Sequence, residues 1–497
     1  MKNILEYLEN TPSPSKTAFV GDNSSLTFGE LSAMSRSVGS YLCEQNIYKQ
    51  PIPVLMGKSP EMIAAFFGVV YGGNYYVPLD VAMPKVRIHM VLNKVNPPLV
   101  ICDDSTESLL TEWGYKTCNF KDICTYQVND TALANIRSHA TDVDPIYVVF
   151  TSGSTGVPKG VVAHHRAVID YVDALCPVLG VDENTVFGNQ SPLYLDACLK
   201  ELFPTLKYGA TTYLIPASLF VFPIKLVEYI TANRINTICW VASALSLVAG
   251  LGVLEKEVPH TLKTIAFGSE VFPQKHLNQW RKALPDTKFV HLYGPTEATG
   301  MSCYYQVTRD FDTNEAIPIG QPFPNREVVL LGEGDTTPPP GEPGEICIRG
   351  NQLSLGYYAD PELTAKAFIQ NPLSPYPDTL YKTGDLGRIN SDGLLEFISR
   401  IDHQIKHMGH RIELAEIEVA AREIEGVEMV CAVFQQEKSR IILFYTAKEG
   451  VTKSMVQTKL KSHLPRYMVP HAIHPMEKLP LTPGGKIDRN SLKESIQ

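Results

Sequence analysis

Over the first 400 residues short apolar runs alternate with amphipathic stretches, for example Val54 to Met56, then Ser59 to Val70, then Pro98 to Cys102. Short apolar runs bounded by turn formers predict strands, and apolar residues three and four apart predict helices laid against them. Their repetition predicts α/β layers with mixed sheets. Two breaker-rich stretches, Gly332 to Gly344 (GEGDTTPPPGEPG) and Asn371 to Asp378 (NPLSPYPD), are predicted loops, because proline removes an amide donor and glycine disfavours regular structure. They punctuate a β-rich region that includes Glu345 to Arg349. After Arg400 the pattern changes. A strand-like Leu394 to Ser399 leads into charged and His-rich residues, and then Leu414, Ile417, Ala421 and Ile424 step by three and four. That spacing predicts a helix over about Glu413 to Glu425, stopped by Gly426. Two strand-like runs, Met429 to Phe434 and Ile441 to Thr446, and a helix near Met455 to Leu464 complete a small α+β domain of about 95 residues.

Composition narrows what such a chain does. At 497 residues it exceeds what one core usually organises, so two or three domains are expected. Lys+Arg 44 against Asp+Glu 53 leaves −9, with no long block of either sign. The broad positive field that draws proteins to nucleic acid or anionic lipid is therefore missing. Ten cysteines carry no C-x-x-C pair, which suits neither a disulfide scaffold nor a zinc knuckle and implies reduced thiols. The N-terminal MKNILEYLENTPSPSK lacks a long apolar core, and the longest apolar stretch, Met62 to Leu79, is interrupted by Gly72, Gly73 and Asn74. A cytoplasmic protein without membrane insertion is expected.

The strongest local signal is Tyr147 to Gly160, YVVFTSGSTGVPKG, where strand formers run into a hydroxyl- and glycine-rich loop. Small residues at Gly153 and Gly156 let backbone amides approach an anion, Thr151, Ser152, Ser154 and Thr155 add hydroxyl donors, and Lys159 adds charge. Pro158 stands where a Walker A loop requires glycine. A flexible linker is the alternative, but one directly after a buried-looking strand is unexpected.

This stretch resembles the phosphate-binding motif of the adenylate-forming superfamily, which includes acyl-CoA synthetases, adenylation domains of nonribosomal peptide synthetases and luciferases. Further matching segments follow in order: Tyr71 to Pro78 (YGGNYYVP), Tyr293 to Thr299 (YGPTEAT), Gly344 to Gly350 (GEICIRG), Tyr381 to Arg388 (YKTGDLGR), Arg400 to Glu413 (RIDHQIKHMGHRIE) and Pro483 to Arg489 (PGGKIDR). The resemblance covers nearly the whole chain. It implies a large N-terminal α/β domain, 1–401, holding ATP and a carboxylic acid, and a mobile C-terminal α+β domain, 402–497, joined by a hinge at Asp402. Ser399 replaces the glycine usual before the hinge arginine.

By the same resemblance Tyr293 and Gly294 would face a purine, and Thr296 and Glu297 would hold the Mg²⁺ accompanying ATP, since hard cations take oxygen ligands. Alone, the motif reads as a Gly-Pro turn. Asp385 would accept hydrogen bonds from the ribose hydroxyls, and Arg400 would assist there. Lys486, otherwise a solvated loop lysine, would bridge the substrate carboxylate and the α-phosphate. The implied chemistry is attack of an already ionised carboxylate on ATP, giving an acyl-adenylate and pyrophosphate.

The acceptor in this superfamily is usually a thiol. RIDHQIKHMGHRIELAEIE and LPRYMVPHAIHPMEKLPLTPGGKIDR look like the amino-acid adenylation branch, most like free-standing D-alanine:carrier-protein ligases. Transfer to the phosphopantetheine of a separate carrier protein is expected, with Gly409 lining the thiol tunnel; an ordinary hairpin glycine is the alternative. An acyl- or aryl-CoA synthetase is the competing enzyme. Matching Ser191 to Phe203 (SPLYLDACLKELF) sets Asp196 against the substrate α-ammonium, or else as a helix cap. The remaining lining would be Ala197, Lys200, Trp240, Ile265, Phe267, Leu292, Gly300 and Met301. Lys200 implies an acidic side chain such as glutamate, unless it snorkels away; Trp240, Phe267 and Met301 imply a small one such as alanine.

Overall fold

The computed structural model of the protein describes residues 2–153, 156–313, 315–436, 438–482 and 487–496. The chain divides into two compact units. The first comprises 1–81, 96–149 and 160–401, and the second 82–95, 150–159 and 402–497. The second unit thus takes in two short pieces of the N-terminal sequence as well as everything from Asp402 onward.

The first unit is built on three sheets. The expected strand, helix and strand appear at Pro51–Met56, Pro60–Tyr71 and Val100–Cys102. The helix starts because Ser59 adopts extended backbone and its hydroxyl accepts the Met62 amide at 3.2 Å, with Pro60 filling the first helical position; proline there loses an amide that has no helical partner anyway. These strands belong to a six-stranded sheet in the order 117–119, 100–102, 51–56, 75–80, 145–151, 159–164. A nine-stranded sheet runs 321–322, 303–307, 288–293, 264–268, 237–241, 186–189, 211–214, 17–20, 25–27. Its central pairs are parallel and both edges antiparallel, so both of its faces are covered by helices. An antiparallel five-stranded sheet holds 326–331, 344–350, 368–370, 379–389 and 395–400.

Side chains alternate across a strand, and the nine-stranded sheet separates its neighbours accordingly. Cys239, Ala266, Val290 and Leu292 join the core with the helices His165–Leu179 and Leu199–Tyr208. Ile238, Trp240, Ile265, Phe267 and Phe289 join a different core with the helices Pro223–Ala232, Ala242–Gly250 and Gln274–Ala283.

The second unit contains the expected C-terminal elements at Leu414–Arg422, Val427–Gln435, Arg440–Ala447 and Lys453–His463. Gly426 follows the first helix at φ +86°, a backbone only glycine adopts cheaply. A three-stranded sheet packs Val430, Ala432, Leu443 and Tyr445 against both helices, and Cys431, Val433 and Phe444 toward Leu492 on its other face.

Candidate active site

Two charged residues become neighbours through strand register. Asp385 in 379–389 is the cross-strand partner of Arg400 in 395–400, so both project from one face. Arg400 donates through Nη1 to Asp385 Oδ1 and through Nη2 to the Thr383 carbonyl at 3.1 Å. Tyr293, at the end of strand Lys288–Tyr293, donates its hydroxyl to Asp385 Oδ2 at 2.5 Å. Burial and the Asp385 carboxylate push the Tyr293 hydroxyl well above its ordinary range, so it stays a donor near neutrality. A carboxylate offers about four acceptor positions. Two are taken here by Tyr293 and Arg400.

The turn after Tyr293 presents a second carboxylate. Glu297 is fully buried, its Oε1 accepts the Tyr357 hydroxyl at 2.6 Å, and its carbonyl accepts the Ser354 amide at 2.9 Å. Thr296 is half-buried beside it in sequence. Among the described residues no cluster of three His, Cys, Asp or Glu could hold a metal ion. A protein-only cage is therefore missing, but Thr296 and Glu297 fit an ion such as Mg²⁺ that keeps most of its ligands as water and substrate phosphate. The same turn brings Gly294 against the backbone of Gly300 and Met301, where a Cβ would meet the Gly300 carbonyl at 2.3 Å. Gly300 has φ +81°, and a Cβ on it would lie 2.8 Å from the Tyr171 ring. A side chain at Gly300 thus faces both backbone strain and a packed aromatic.

The third cluster surrounds Asp196, which opens a one-turn helix, Asp196–Cys198, after Leu195 in the cap position. It therefore occupies the first helical position rather than the cap. Burial first raises the hydroxyls of Tyr147 and Tyr171 and the Cys198 thiol, and the Asp196 charge adds to each, last among the causes at Tyr171 and behind Glu201 at Cys198. The hydroxyls of Tyr147 and Tyr171 are enclosed and have no protein partner among the described residues. Lys200 is 4% exposed. Among the described residues it has no hydrogen bond or ion pair, although its charge acts on Glu201, Cys198 and Cys239.

The remaining pocket residues divide between the two faces of the nine-stranded sheet. Leu292 and Met301 lie in the core shared with the helix that carries Lys200, and Gly300 abuts Tyr171 there. Ala197 is half-buried in the Asp196 turn. Trp240, Ile265 and Phe267 lie in the opposite core. There the Trp240 indole donates to the Gly188 carbonyl at 2.7 Å and meets Phe220 edge-on, while Phe267 stacks on His291 with centroids 5.0 Å apart. The smaller Cys239, on which the Lys200 charge acts, and Ala266 lie in the core shared with the helix that carries Lys200.

In the second unit, the loop after Thr151 folds back through a bond from the Gly156 amide to the Gly153 carbonyl at 3.0 Å. Ser152 donates to the Arg411 carbonyl, and Lys159 lies 3.7 Å from the Glu413 carboxylate. Ser154, Thr155 and Lys486 lie outside the described residues. Asp402 is the first residue of the C-terminal stretch of this unit and accepts the Gln404 amide at 3.1 Å. Gly409, at φ +77°, sits with Met408 at φ +52° in the two-residue turn joining strands Gln404–His407 and His410–Glu413, the conformation of a tight hairpin turn.

The sequence model described as AMP-binding enzyme matches residues 8–358, and that described as AMP-binding enzyme C-terminal domain matches 416–486. The chain belongs to the AMP-binding enzyme family. It is similar to bacitracin synthase 1 of Bacillus licheniformis, 34% identical over 97% of this chain but only 9% of that protein. It thus spans less than a tenth of that relative's length. NpsA-ThdA, an artificially fused adenylation-PCP di-domain from Klebsiella oxytoca, superposes with a TM-score of 0.83 at 23% identity, covering 95% of this chain and 93% of that one. The o-succinylbenzoate CoA synthetase of Bacillus subtilis superposes with a TM-score of 0.85 at 20% identity, covering 99% and 98%. At these identities the superpositions establish a shared fold, and that fold carries both carrier-linked and CoA-linked enzymes.

Several residues of these clusters escape the motifs. Tyr357 holds Glu297 from 60 positions away, and Thr383 braces Asp385, donating to the Ile346 carbonyl at 2.7 Å while accepting the Asp385 amide at 3.0 Å. Glu201 and Asn189, both fully buried, had one local signal: polar residues within otherwise apolar segments.

Proposed function

We propose that this protein is an ATP-dependent amino acid:carrier-protein ligase. The carboxylate of the amino acid attacks the α-phosphate of ATP, pyrophosphate leaves, and the aminoacyl-adenylate then passes its acyl group to the phosphopantetheine thiol of a separate carrier protein, releasing AMP. Asp385, Arg400 and Tyr293 hold the ribose end, the loop Thr151 to Lys159 holds phosphate oxygens, and Lys486 bridges the two anions during attack. Asp402 is the pivot and Gly409 the approach for the thiol-bearing arm. The ten unpaired thiols suit the reducing cytoplasm, and no helix among the described residues is long and apolar enough to cross a membrane.

The observation that carries the amino-acid reading is Asp196, a carboxylate whose charge reaches the buried Tyr147, Tyr171 and Cys198. Asp196 is half-buried, and at the position that the resemblance assigns to the substrate α-ammonium a carboxylate suits an amino acid, whereas a fatty or aryl acid has no cation to offer it. For the side chain, the bulk of Trp240 and Phe267 lies across the sheet. That weighs against an alanine-sized substrate. Lys200, Tyr147 and Tyr171 supply three donors without protein acceptors among the described residues, which favours a side chain ending in an acceptor such as a carboxylate.

Pyrophosphate exchange across the twenty amino acids, their D-forms and short fatty and aryl acids tests both statements. Exchange with acidic amino acids is expected; exchange only with fatty or aryl acids would refute the ligase reading, and exchange only with small neutral amino acids would refute the side-chain reading. Free coenzyme A accepting the acyl group as well as a holo carrier protein would refute the carrier.

A further inference from the structure

The loop 150–159, the helix Lys85–Val95 and the chain from Asp402 onward belong to the same unit, and the other two both reach the loop. Lys94 of the helix donates its ammonium to the Pro158 carbonyl at 3.4 Å. From the C-terminal stretch come the Arg411 carbonyl, which accepts the Ser152 hydroxyl, and the helix Leu414–Arg422. That helix lies so close that a Cβ on Gly156 would meet the Val419 side chain at 3.0 Å.

The helix brings two carboxylates with it. Glu413 stands in the cap position and Glu416 in the first turn, where acidic side chains ordinarily turn to the unpaired amides of their own helix. Glu413 makes no such cap bond. Its carboxylate accepts from the Gln404 side-chain amide and lies 3.7 Å from the Lys159 ammonium. Glu416 Oε1 accepts the Arg87 guanidinium of the helix Lys85–Val95, each of these two side chains being 6% exposed. Glu416 Oε2 is enclosed with no hydrogen-bond partner among the described residues. Burial raises the Glu416 carboxyl, and the Arg87 charge and the Gly153 amide oppose it. Cations and an amide at or beside the loop thus act on two carboxylates carried by one helix.

We infer that Glu413 and Glu416 compete with phosphate for the anion positions of the loop, and that Arg87 is a further phosphate-binding residue, exchanging the Glu416 carboxylate for a phosphate oxygen of ATP or pyrophosphate. This rests on the reading of Thr151 to Lys159 as a phosphate-binding loop given above. Carboxylate and phosphate oxygens make the same demand, accepting charge-assisted bonds from guanidinium and ammonium groups. The planar fork of an arginine serves either anion. A buried guanidinium stripped of its carboxylate is costly, so Glu416 leaves Arg87 readily only when another anion takes its place. The spare Oε2 of Glu416 marks the carboxylate as the less well satisfied member of the pair. Phosphate binding and withdrawal of residues 411–416 from the loop are then a single exchange, driven by the difference in affinity of Arg87 and Lys159 for the two anions.

The test titrates ATP, pyrophosphate and adenosine into the full chain by calorimetry. Arg87→Met is expected to bind ATP and pyrophosphate about tenfold more weakly or worse, with adenosine, which carries no phosphate, unaffected; Arg87→Lys should recover part of the loss. Glu416→Gln should bind both phosphate ligands several-fold more tightly, and Glu413→Gln, which leaves the Arg87 pair intact, should do the same. The double variant Arg87→Met/Glu416→Gln lacks both the competing carboxylate and the guanidinium, so it should bind pyrophosphate about tenfold more weakly than Glu416→Gln alone. Equal affinities there would show that Arg87 only anchors Glu416 and would overturn its phosphate role. Saturating wild type with pyrophosphate should accelerate hydrogen exchange of the backbone amides of 411–419 by about tenfold. Unchanged exchange, or no gain in affinity in either glutamine variant, would overturn the competition. Lys159→Ala reads the loop itself. If it binds pyrophosphate like wild type, the phosphate reading of the loop fails and the inference with it, whereas a weakened Lys159→Ala beside an unaffected Arg87→Met removes Arg87 alone.

Discussion

Glu201→Gln should make the protein more stable near neutral pH. Burial pushes the Glu201 carboxyl up from its ordinary 4.5 to about 7, against the opposing pull of Lys200, the Asn189 bond and Lys58. A carboxyl whose folded value is raised binds a proton in the folded state that the unfolded chain has already released. Stability therefore falls as pH rises from 4.5 to about 7. The gap corresponds to about 3 kcal/mol at most, at 1.36 kcal/mol per pH unit. Lys58 is displaced the other way, from 10.5 to about 8, by burial, against the charges of Glu201, Cys198 and Asp80. Its folded state sheds a proton that the unfolded chain keeps, so stability recovers only above pH 8. Between pH 7 and 8 the cluster carries both charges and is at its most costly. Glutamine keeps an oxygen for Asn189 and cannot ionise. Urea unfolding of wild type and Glu201→Gln, followed from pH 5 to pH 9 with a probe in the first unit, should give nearly equal stability at pH 5 and an advantage of about 3 kcal/mol for the variant near pH 8. Parallel curves across the range would show that Glu201 ionises without penalty and refute the reasoning.

Three further changes probe the other clusters. Asp385→Ala leaves the Arg400 guanidinium without its carboxylate and should cost about 3 kcal/mol of stability and at least a tenfold rise in the KM for ATP; Asp385→Asn, which keeps acceptors for Tyr293 and Arg400, should fold like wild type in a thermal melt and lose mainly ATP affinity. Gly300→Ala sets a methyl 2.8 Å from the Tyr171 ring at φ +81° and should cost about 2 kcal/mol while abolishing exchange with larger amino acids before glycine; uniform loss across substrates would argue against Gly300 as pocket wall. Lys486→Ala should reduce adenylate formation by about a hundredfold or more with ATP binding by calorimetry unchanged, and wild-type exchange rates would remove that lysine from the chemistry.

Much of this was legible in the sequence wherever function lies in contiguous residues. The helix Leu414–Arg422 and the strands around 430 and 443 follow from spacing alone, and Asp385 and Arg400 announce themselves in short motifs. What the sequence withheld depends on register and distance. Trp240 and Phe267 are close in the chain to Cys239 and Ala266, yet one step of strand alternation sends them into different cores. Tyr357 meets Glu297, and Lys58 meets Asn189, only because separate elements are brought side by side. No local pattern reports such meetings, and a polar residue within an apolar run is the only trace they leave.

The division of the nine-stranded sheet bears on how such an enzyme could be redesigned. Residues 239, 266, 292 and 301 could be varied together as a small library, because the indole bond of Trp240 to Gly188 and the stack of Phe267 on His291 lie behind the sheet and are left untouched. A library built instead on 240, 265 and 267 would disturb that indole bond and that ring stack at the same time as any change in selectivity. A lineage drifting through either set of positions would meet the same division, because each set repacks a different core of the first unit.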